Sequence, residues 1–434
     1  MAKIKMSKLE NLRNTIHSSV DDYCSEAHHF GFNSASPVVR LHEPTFSAEE
    51  INVAIDVLLS TRVTMGERVK GFEREFAQAF NFGYGVMNNS GSSANLLGIA
   101  AIANIATPDG LRPGDEVIVP ALSWSTTVWP LIQLGLIPVV VDIDPVTFNI
   151  DPDEIERAIG PKTRGLMPVH VYGNPCDMGA IKDICHRHNL ILIEDCCEAL
   201  GAWYDGTPVG KFGRLGTFSF YFSHHMTTLE GGICVTDDFQ LAELMRILRA
   251  HGWVRELDDP KPYLEKYAEF DPRFLFVNLG YNLRATELQG AMGSVQLPKL
   301  KGFVEARREN TRELQAELSK WSEFFDFQKE TPKGLSSCFG FPMVRKADAP
   351  FALKDLTRFL NQAQIETRPI ICGNIARQPG MKMYEHRVSG DLKHSSNIMD
   401  NGFSFGNHQD VGAGGRAYVV KKISEFFAAN GIGK

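Results

Sequence analysis

From Ser47 onward the chain alternates between two hydrophobic rhythms. Ile51, Val53, Ala54, Ile55, Val57 and Leu58 recur on a helical period behind Ser47-Ala-Glu-Glu50, which has capping-box spacing, so a first helix is predicted there. Short β-branched runs follow between helical segments: Glu116-Val-Ile-Val119, Val139-Val-Val-Asp142, Gly165-Leu-Met-Pro-Val169 and Leu190-Ile-Leu-Ile-Glu194. Strands that are apolar on both faces belong inside a parallel sheet covered by helices. Thr217-Phe-Ser-Phe-Tyr221 and Gly232-Ile-Cys-Val-Thr236 stand close enough along the chain to pair as neighbours in that sheet. A charged helical stretch from Thr286 to about Trp321 then leads to an α+β tail, with strands near Phe339-Gly-Phe-Pro-Met343 and Glu366-Thr-Arg-Pro-Ile370. The pattern predicts an α/β chain in three parts: a polar, weakly patterned extension over 1–41, a large domain over 42–300 and a smaller domain over 301–434.

Composition narrows the class. A chain of 434 residues, 43% hydrophobic and 22% charged, buries a large core and is neither a miniprotein nor a disordered chain. Its net charge of -7 argues against nucleic acid or a membrane surface as partner. Lys3, Lys5, Lys8, Glu10 and Arg13 interrupt the stretch where a signal peptide needs an apolar run, and the most apolar windows, Leu96–Ala106 and Leu131–Val141, are too short to span a bilayer. A cytoplasmic location is expected. The eight cysteines are scattered without a CxxC pair, which reads as reduced thiols.

Four segments carry possible chemistry. Asn89-Ser-Gly-Ser-Ser-Ala-Asn95 precedes a helical run, so Gly91, Ser92 and Ser93 present backbone N–H groups and hydroxyls at a helix N-terminus, where a phosphate binds; an ordinary Ser cap explains the same residues. Glu194-Asp195 closes a buried strand at the carboxyl edge where α/β sheets bind ligands, and Asp195 there either pairs with a cationic ring nitrogen or caps the next helix. Trp124, after another strand, either stacks on a planar cofactor or joins the core. His224 and His225 are adjacent at a strand end, a poor arrangement for a metal because neighbouring side chains diverge, and a better one for a general base. No metal is expected.

In this order, Ser-Gly-Ser-Ser, Trp124, Glu194-Asp195 and Glu230-Gly-Gly232 resemble the sugar aminotransferase (DegT/DnrJ/EryC1/StrS) family of pyridoxal-phosphate enzymes, from about Glu43 to the C-terminus. The resemblance implies the aspartate-aminotransferase fold (type I), a large mixed-sheet domain with a smaller α+β domain. In that family a Lys six residues before the Glu of Glu-Gly-Gly holds the cofactor covalently; here the position is His224. Imidazole cannot make that bond but moves protons near neutral pH. The exchange resembles the family's 3-dehydratase branch, as do Phe222-Ser-His-His-Met-Thr-Thr-Leu-Glu-Gly-Gly, Ala250-His-Gly-Trp-Val-Arg255, Leu279-Gly-Tyr-Asn-Leu-Arg284 and Gly406-Asn-His-Gln409. A sister branch carries clustered cysteines for a [2Fe-2S] centre after the equivalent of His251-Gly-Trp253; Gly252–Phe276 contains none, so no iron–sulfur cluster is expected.

Carried onto this chain, the resemblance implies that Gly91, Ser92 and Ser219 hold the cofactor phosphate, Trp124 stacks on the ring, Asp195 pairs with the ring N–H, and Glu198 stands near the ring hydroxyl where aminotransferases have Gln. Asn282 would reach the phosphate of a neighbouring subunit, so a homodimer with shared sites is implied, and His251, Arg255 and Arg284 would bind substrate. His224 would be the catalytic acid–base, with His225 its rival. The implied reaction uses pyridoxal phosphate and pyridoxamine phosphate, with L-glutamate as amino donor, to remove the 3-hydroxyl of a nucleotide-linked 4-keto-6-deoxyhexose: GDP-4-keto-6-deoxy-D-mannose first, a CDP- or TDP-linked sugar otherwise. Two rivals remain: an aminotransferase using a displaced Lys, of which Lys211 is the nearest, and a non-catalytic binding protein.

Overall fold

The computed structural model describes residues 2–432. Its largest element is an eight-stranded sheet made of β1 (Tyr84–Asn88), β2 (Glu116–Pro120), β3 (Ile137–Val141), β4 (Thr163–Leu166), β5 (Ile191–Asp195), β6 (Leu215–Ser219), β7 (Gly232–Thr236) and, from the C-terminal part, a short strand Arg387–Val388. The order is β1-β7-β6-β5-β4-β2-β3 with Arg387–Val388 at the far edge. All pairings are parallel except the two made by β7, so the sheet is mixed with one reversed strand. The continuous apolar runs have their reason here: Val117, Val119, Val140 and Ile193 pack under helices on one face, and Ile118, Val139, Val141 and Leu192 under helices on the other. A four-stranded antiparallel sheet follows, β8 (Phe325–Phe327), β9 (Gly340–Arg345), β10 (Thr367–Arg368) and β11 (Gly402–Gly406) in the order β8-β9-β11-β10, with a core rich in phenylalanine.

Several boundaries move for identifiable reasons. The extension begins as a helix, α1 (Ala2–Ala27), docked on α2 (Ala48–Ser60) through His17–Asp56 and Asn52–Asp21, both 3.0 Å. At the start of α2 the Ser47 N–H donates to Glu50 Oε2 at 2.7 Å, as the capping spacing predicts. The expected strand after Gly165 ends at Leu166, just ahead of Pro168, and the one near Glu366 keeps only Thr367–Arg368, because Pro369 has no N–H to give. Pro298 divides the long charged stretch into two helices, Glu287–Gln296 and Leu300–Leu318. β1 was not predicted; Gly85 and Asn88 break its apolar run. All eight cysteines are free thiols, and among the described residues no helix is long and apolar enough to cross a membrane.

Candidate active site

A cavity of about 530 Å³ opens at the carboxyl ends of the parallel strands, where open α/β sheets take their ligands. Beyond β1, Ser90 caps the helix Gly91–Ile102 by accepting the Ser93 N–H at 3.1 Å, so the capping and phosphate readings of this segment coexist. Ser90, Gly91 and Ser92 all line the cavity, and the positive end of the helix faces it. A Cβ on Gly91 would stand 2.4 Å from Ser219 Cβ, so only glycine lets the Ser219 hydroxyl at the end of β6 close this cradle. Glu230-Gly-Gly232 has a similar reason: a Cβ on Gly232 would meet the Ser90 carbonyl at 2.4 Å.

The two carboxylates ending β5 part company. Glu194 turns away into a filled knot: Oε1 accepts the Phe212 and Gly213 N–H groups, Oε2 accepts Gly210 N–H at 2.8 Å, and His170 Nε2 lies 3.3 Å away. His170, Glu194 and Cys196 converge closely enough to suggest a metal site, but His170 Nδ1 already accepts the Cys176 N–H at 3.0 Å and the carboxylate is engaged by these donors. The knot is structural. Asp195 instead lines the cavity, with Oδ2 accepting from Asn95 Nδ2 at 2.9 Å and Thr127 Oγ1 at 2.8 Å and Oδ1 from the Cys197 N–H at 3.2 Å. These donors fix the direction of the carboxylate.

His224 lines the same cavity, and its Nδ1 lies 2.7 Å from the Cys197 carbonyl. A carbonyl only accepts, so Nδ1 carries the hydrogen and Nε2 presents a lone pair. Burial pushes the imidazole down to about 4, aided by the positive charges of Arg368 and Arg307 and opposed by the Cys197 carbonyl. It is therefore neutral, and ready to accept a proton, at neutral pH. His225 is fully buried, does not line the cavity, and spends Nε2 on the Ser337 carbonyl at 3.1 Å.

Opposite His224 the wall comes from the C-terminal part. The Arg368 guanidinium lies over the rings of Phe339 and Tyr172, 5.4 and 5.8 Å from their centroids, and Phe339 packs 5.1 Å from the His224 ring. Glu198 lines the cavity and accepts the Tyr172 N–H at 3.1 Å. Burial pushes its carboxyl up to about 7, against the pull of Arg368. Trp124 remains 58% exposed at the cavity, so it is not a core residue and its ring is open to a ligand there. Asn95, Thr127, Phe339 and Arg368 were not expected here. Asn95 had a signal, one helical turn after Gly91, whereas a single Arg on a distant strand had none.

Four expected residues lie elsewhere. Arg284 Nε donates to Asn282 Oδ1 at 3.1 Å, its guanidinium lies 3.3 Å from His251 Nε2, and Arg255 sits 6.0 Å over Trp253, the ring beside His251. This cluster does not line the chain's own cavity. It is flanked by exposed Phe274, Phe276 and Leu279.

Pyridoxal phosphate fits the cavity residues: a glycine-dependent hydroxyl and helix cradle for the phosphate, a fixed carboxylate for the ring nitrogen and an indole shelf for the ring face. Among the described residues no lysine lines the cavity. The comparisons with known proteins agree. A profile of the DegT/DnrJ/EryC1/StrS aminotransferase family matches residues 44–424. The GDP-4-keto-6-deoxy-D-mannose 3-dehydratase of Yersinia pseudotuberculosis is 41% identical over 372 residues, covering 85% of this chain and 94% of its own. The lipopolysaccharide biosynthesis protein RfbH of Salmonella typhimurium is 36% identical, over 97% of this chain and 99% of its own. Among solved structures, the Escherichia coli GDP-4-keto-6-deoxy-D-mannose-3-dehydratase with bound hydrated pyridoxal phosphate superposes with a TM-score of 0.82 at 38% identity, covering 88% of this chain and 98% of that one.

Proposed function

The chain belongs to the DegT/DnrJ/EryC1/StrS aminotransferase family, and from that premise we propose that it is a pyridoxal-phosphate-dependent nucleotide-sugar 3-dehydratase acting on GDP-4-keto-6-deoxy-D-mannose. The observation that carries this reading is a neutral imidazole, with Nε2 free, in a cofactor cavity that no lysine among the described residues lines. Pyridoxal phosphate supplies the amino-group carrier and the electron sink. Gly91, Ser92 and Ser219 hold its phosphate, Trp124 covers its ring, and Asp195 keeps the ring nitrogen protonated. Glu198 stands near the ring hydroxyl. His224 accepts a proton at Nε2 and delivers one to the 3-hydroxyl as it leaves. Arg368, clamped on two aromatic faces, receives a carboxylate of L-glutamate.

The overall change balances without a reductase. Glutamate is oxidised by two electrons to 2-oxoglutarate, its nitrogen leaves as ammonia, and C3 of the sugar exchanges a C–O bond for a C–H bond. The product is a GDP-4-keto-3,6-dideoxyhexose, the colitose-type sugar of an O-antigen pathway in lipopolysaccharide biosynthesis, made in the cytoplasm. We further read the Asn282–Arg284–His251 cluster, with Arg255, as the contribution of each copy to the other's cavity in a homodimer. Asn282 then reaches the phosphate and the arginines meet the nucleotide sugar.

The test is incubation with pyridoxal phosphate, L-glutamate and GDP-4-keto-6-deoxy-D-mannose in the absence of any reductase. We expect 2-oxoglutarate, ammonia and the 3-deoxy product in equal amounts by mass spectrometry. His224→Asn should lower turnover by about 10²- to 10⁴-fold while the absorbance of bound cofactor persists. A stable 4-amino sugar without ammonia would make the protein an aminotransferase.

A further inference from the structure

Arg307, on the helix Leu300–Leu318, is 2% exposed. Its hydrogen-bond acceptors among the described residues are main-chain carbonyls, Phe339 at 2.8 Å and Asn407, and its Nε has no partner. Burial pushes the guanidinium down to about 10, so it remains a cation wherever the enzyme works. A buried charge whose hydrogen bonds go to carbonyls, with Asp410 the carboxylate acting on it from further off, is costly to a fold and calls for a purpose.

What it holds is the wall of the candidate active site. Arg307 takes the Phe339 carbonyl, Asn407 Nδ2 takes the Cys338 carbonyl at 2.9 Å, and Arg308 Nε takes the Ser336 carbonyl at 2.6 Å. These donors fix a segment whose Cys338 adopts a left-handed φ of 53°, strained for a side-chain-bearing residue. The fixed segment sets the Phe339 ring 5.1 Å from the ring of His224 and its Ser337 carbonyl on His225. The Gly406-Asn-His-Gln409 motif thereby acquires a role: Asn407 braces the clamp by donating also to the Arg307 carbonyl and Thr311 Oγ1.

The geometry points to Arg307 as a positioning residue for His224: its hydrogen bond to the Phe339 carbonyl pins the Phe339 ring against the imidazole. The inference rests on His224 as the proton carrier of the proposed reaction. The other charged or titratable groups around His224 are Asp195, Cys197 and Glu198 after β5, Arg368 on β10, and Tyr221, His225 and Glu230 on its own segment. Of these Arg368 disfavours a proton on His224 more strongly than Arg307 does, and it stays in place in the variants below.

The test is diethyl pyrocarbonate labelling of the cofactor-loaded protein between pH 4 and 8, with His224 read by peptide mass spectrometry. The reagent acylates neutral imidazole, so the labelling rate reports the His224 proton whether or not the enzyme turns over. In the unaltered protein we expect half-maximal labelling well below the ordinary histidine value of about 6.5. Arg307→Met should raise that midpoint and move the acid limb of turnover with it. Arg307→Lys, which keeps the charge, should restore the midpoint. A midpoint near 6.5 in the unaltered protein would overturn the proposal without any variant, as would one that Arg307→Met leaves in place. If the midpoints behave as expected and no dehydration occurs, the functional reading fails and this one stands.

Discussion

Glu198 is the cavity group whose charge changes nearest physiological pH. It is protonated below about 7 and anionic above, because burial penalises the carboxylate more than Arg368 and the Tyr172 N–H relieve it. Above that pH a second anion joins Asp195 in the cavity where a dicarboxylate donor must enter. The apparent KM for L-glutamate should therefore rise between pH 6.5 and 8, and Glu198→Gln should flatten it, which steady-state kinetics of the donor half-reaction will show. Residues of this kind were legible unevenly. Asp195, Trp124, Gly91 and Ser92 could be found because each follows a recognisable strand or opens a helix, and those positions face the ligand edge of the sheet. His224 was legible only against the family's lysine. Arg368 and Phe339 were not, because they reach the cavity through tertiary packing of the C-terminal part, which leaves no local period.

Among elements, the helices Glu67–Ala79 and Phe239–Arg249 are tied to β1 by one buried pair. Arg249 Nη1 bonds Glu73 Oε1 at 2.5 Å and the Met87 carbonyl at 2.6 Å, and the same Glu73 oxygen accepts the Met87 N–H at 2.7 Å. Glu73→Gln strands the guanidinium and should cost about 3–5 kcal/mol, measurable as a lower urea midpoint. Because Asn88 leads directly into the phosphate cradle, the loss should also weaken cofactor binding. This knot explains why β1 escaped the sequence reading: its register depends on a charge pair from two helices, not on a β-branched run. The strands β2, β3 and β5 were legible for the opposite reason, since burial on both faces writes an unbroken apolar run into the chain. The helix α1 was missed because it packs along one face only, leaving Leu9, Leu12 and Tyr23 exposed among polar neighbours.

At the scale of the whole molecule, the buried histidines set the response to acid. Burial holds His224 near 4 and His408 near 3, and pushes His225 well below its ordinary value. As pH falls below about 6.5 the unfolded chain takes up protons at these positions and the folded one does not, so stability is full above that pH and lost progressively toward pH 4. Glu198 works in the other direction. Its folded value lies above the unfolded one, so between about 7 and 4.5 the folded state holds the extra proton and gains stability as pH falls. Burial pushes Asp151 and Asp410 up as well, so they act with Glu198, and the three deeply buried histidines outweigh these carboxyls. Calorimetry of the cofactor-loaded protein should show Tm declining from pH 7 to pH 5, and Glu198→Gln, by removing one opposing group, should make that decline steeper. A flat profile would mean that the buried imidazoles accept protons in the folded state, and His224 would then lose the neutrality on which its role as a base depends.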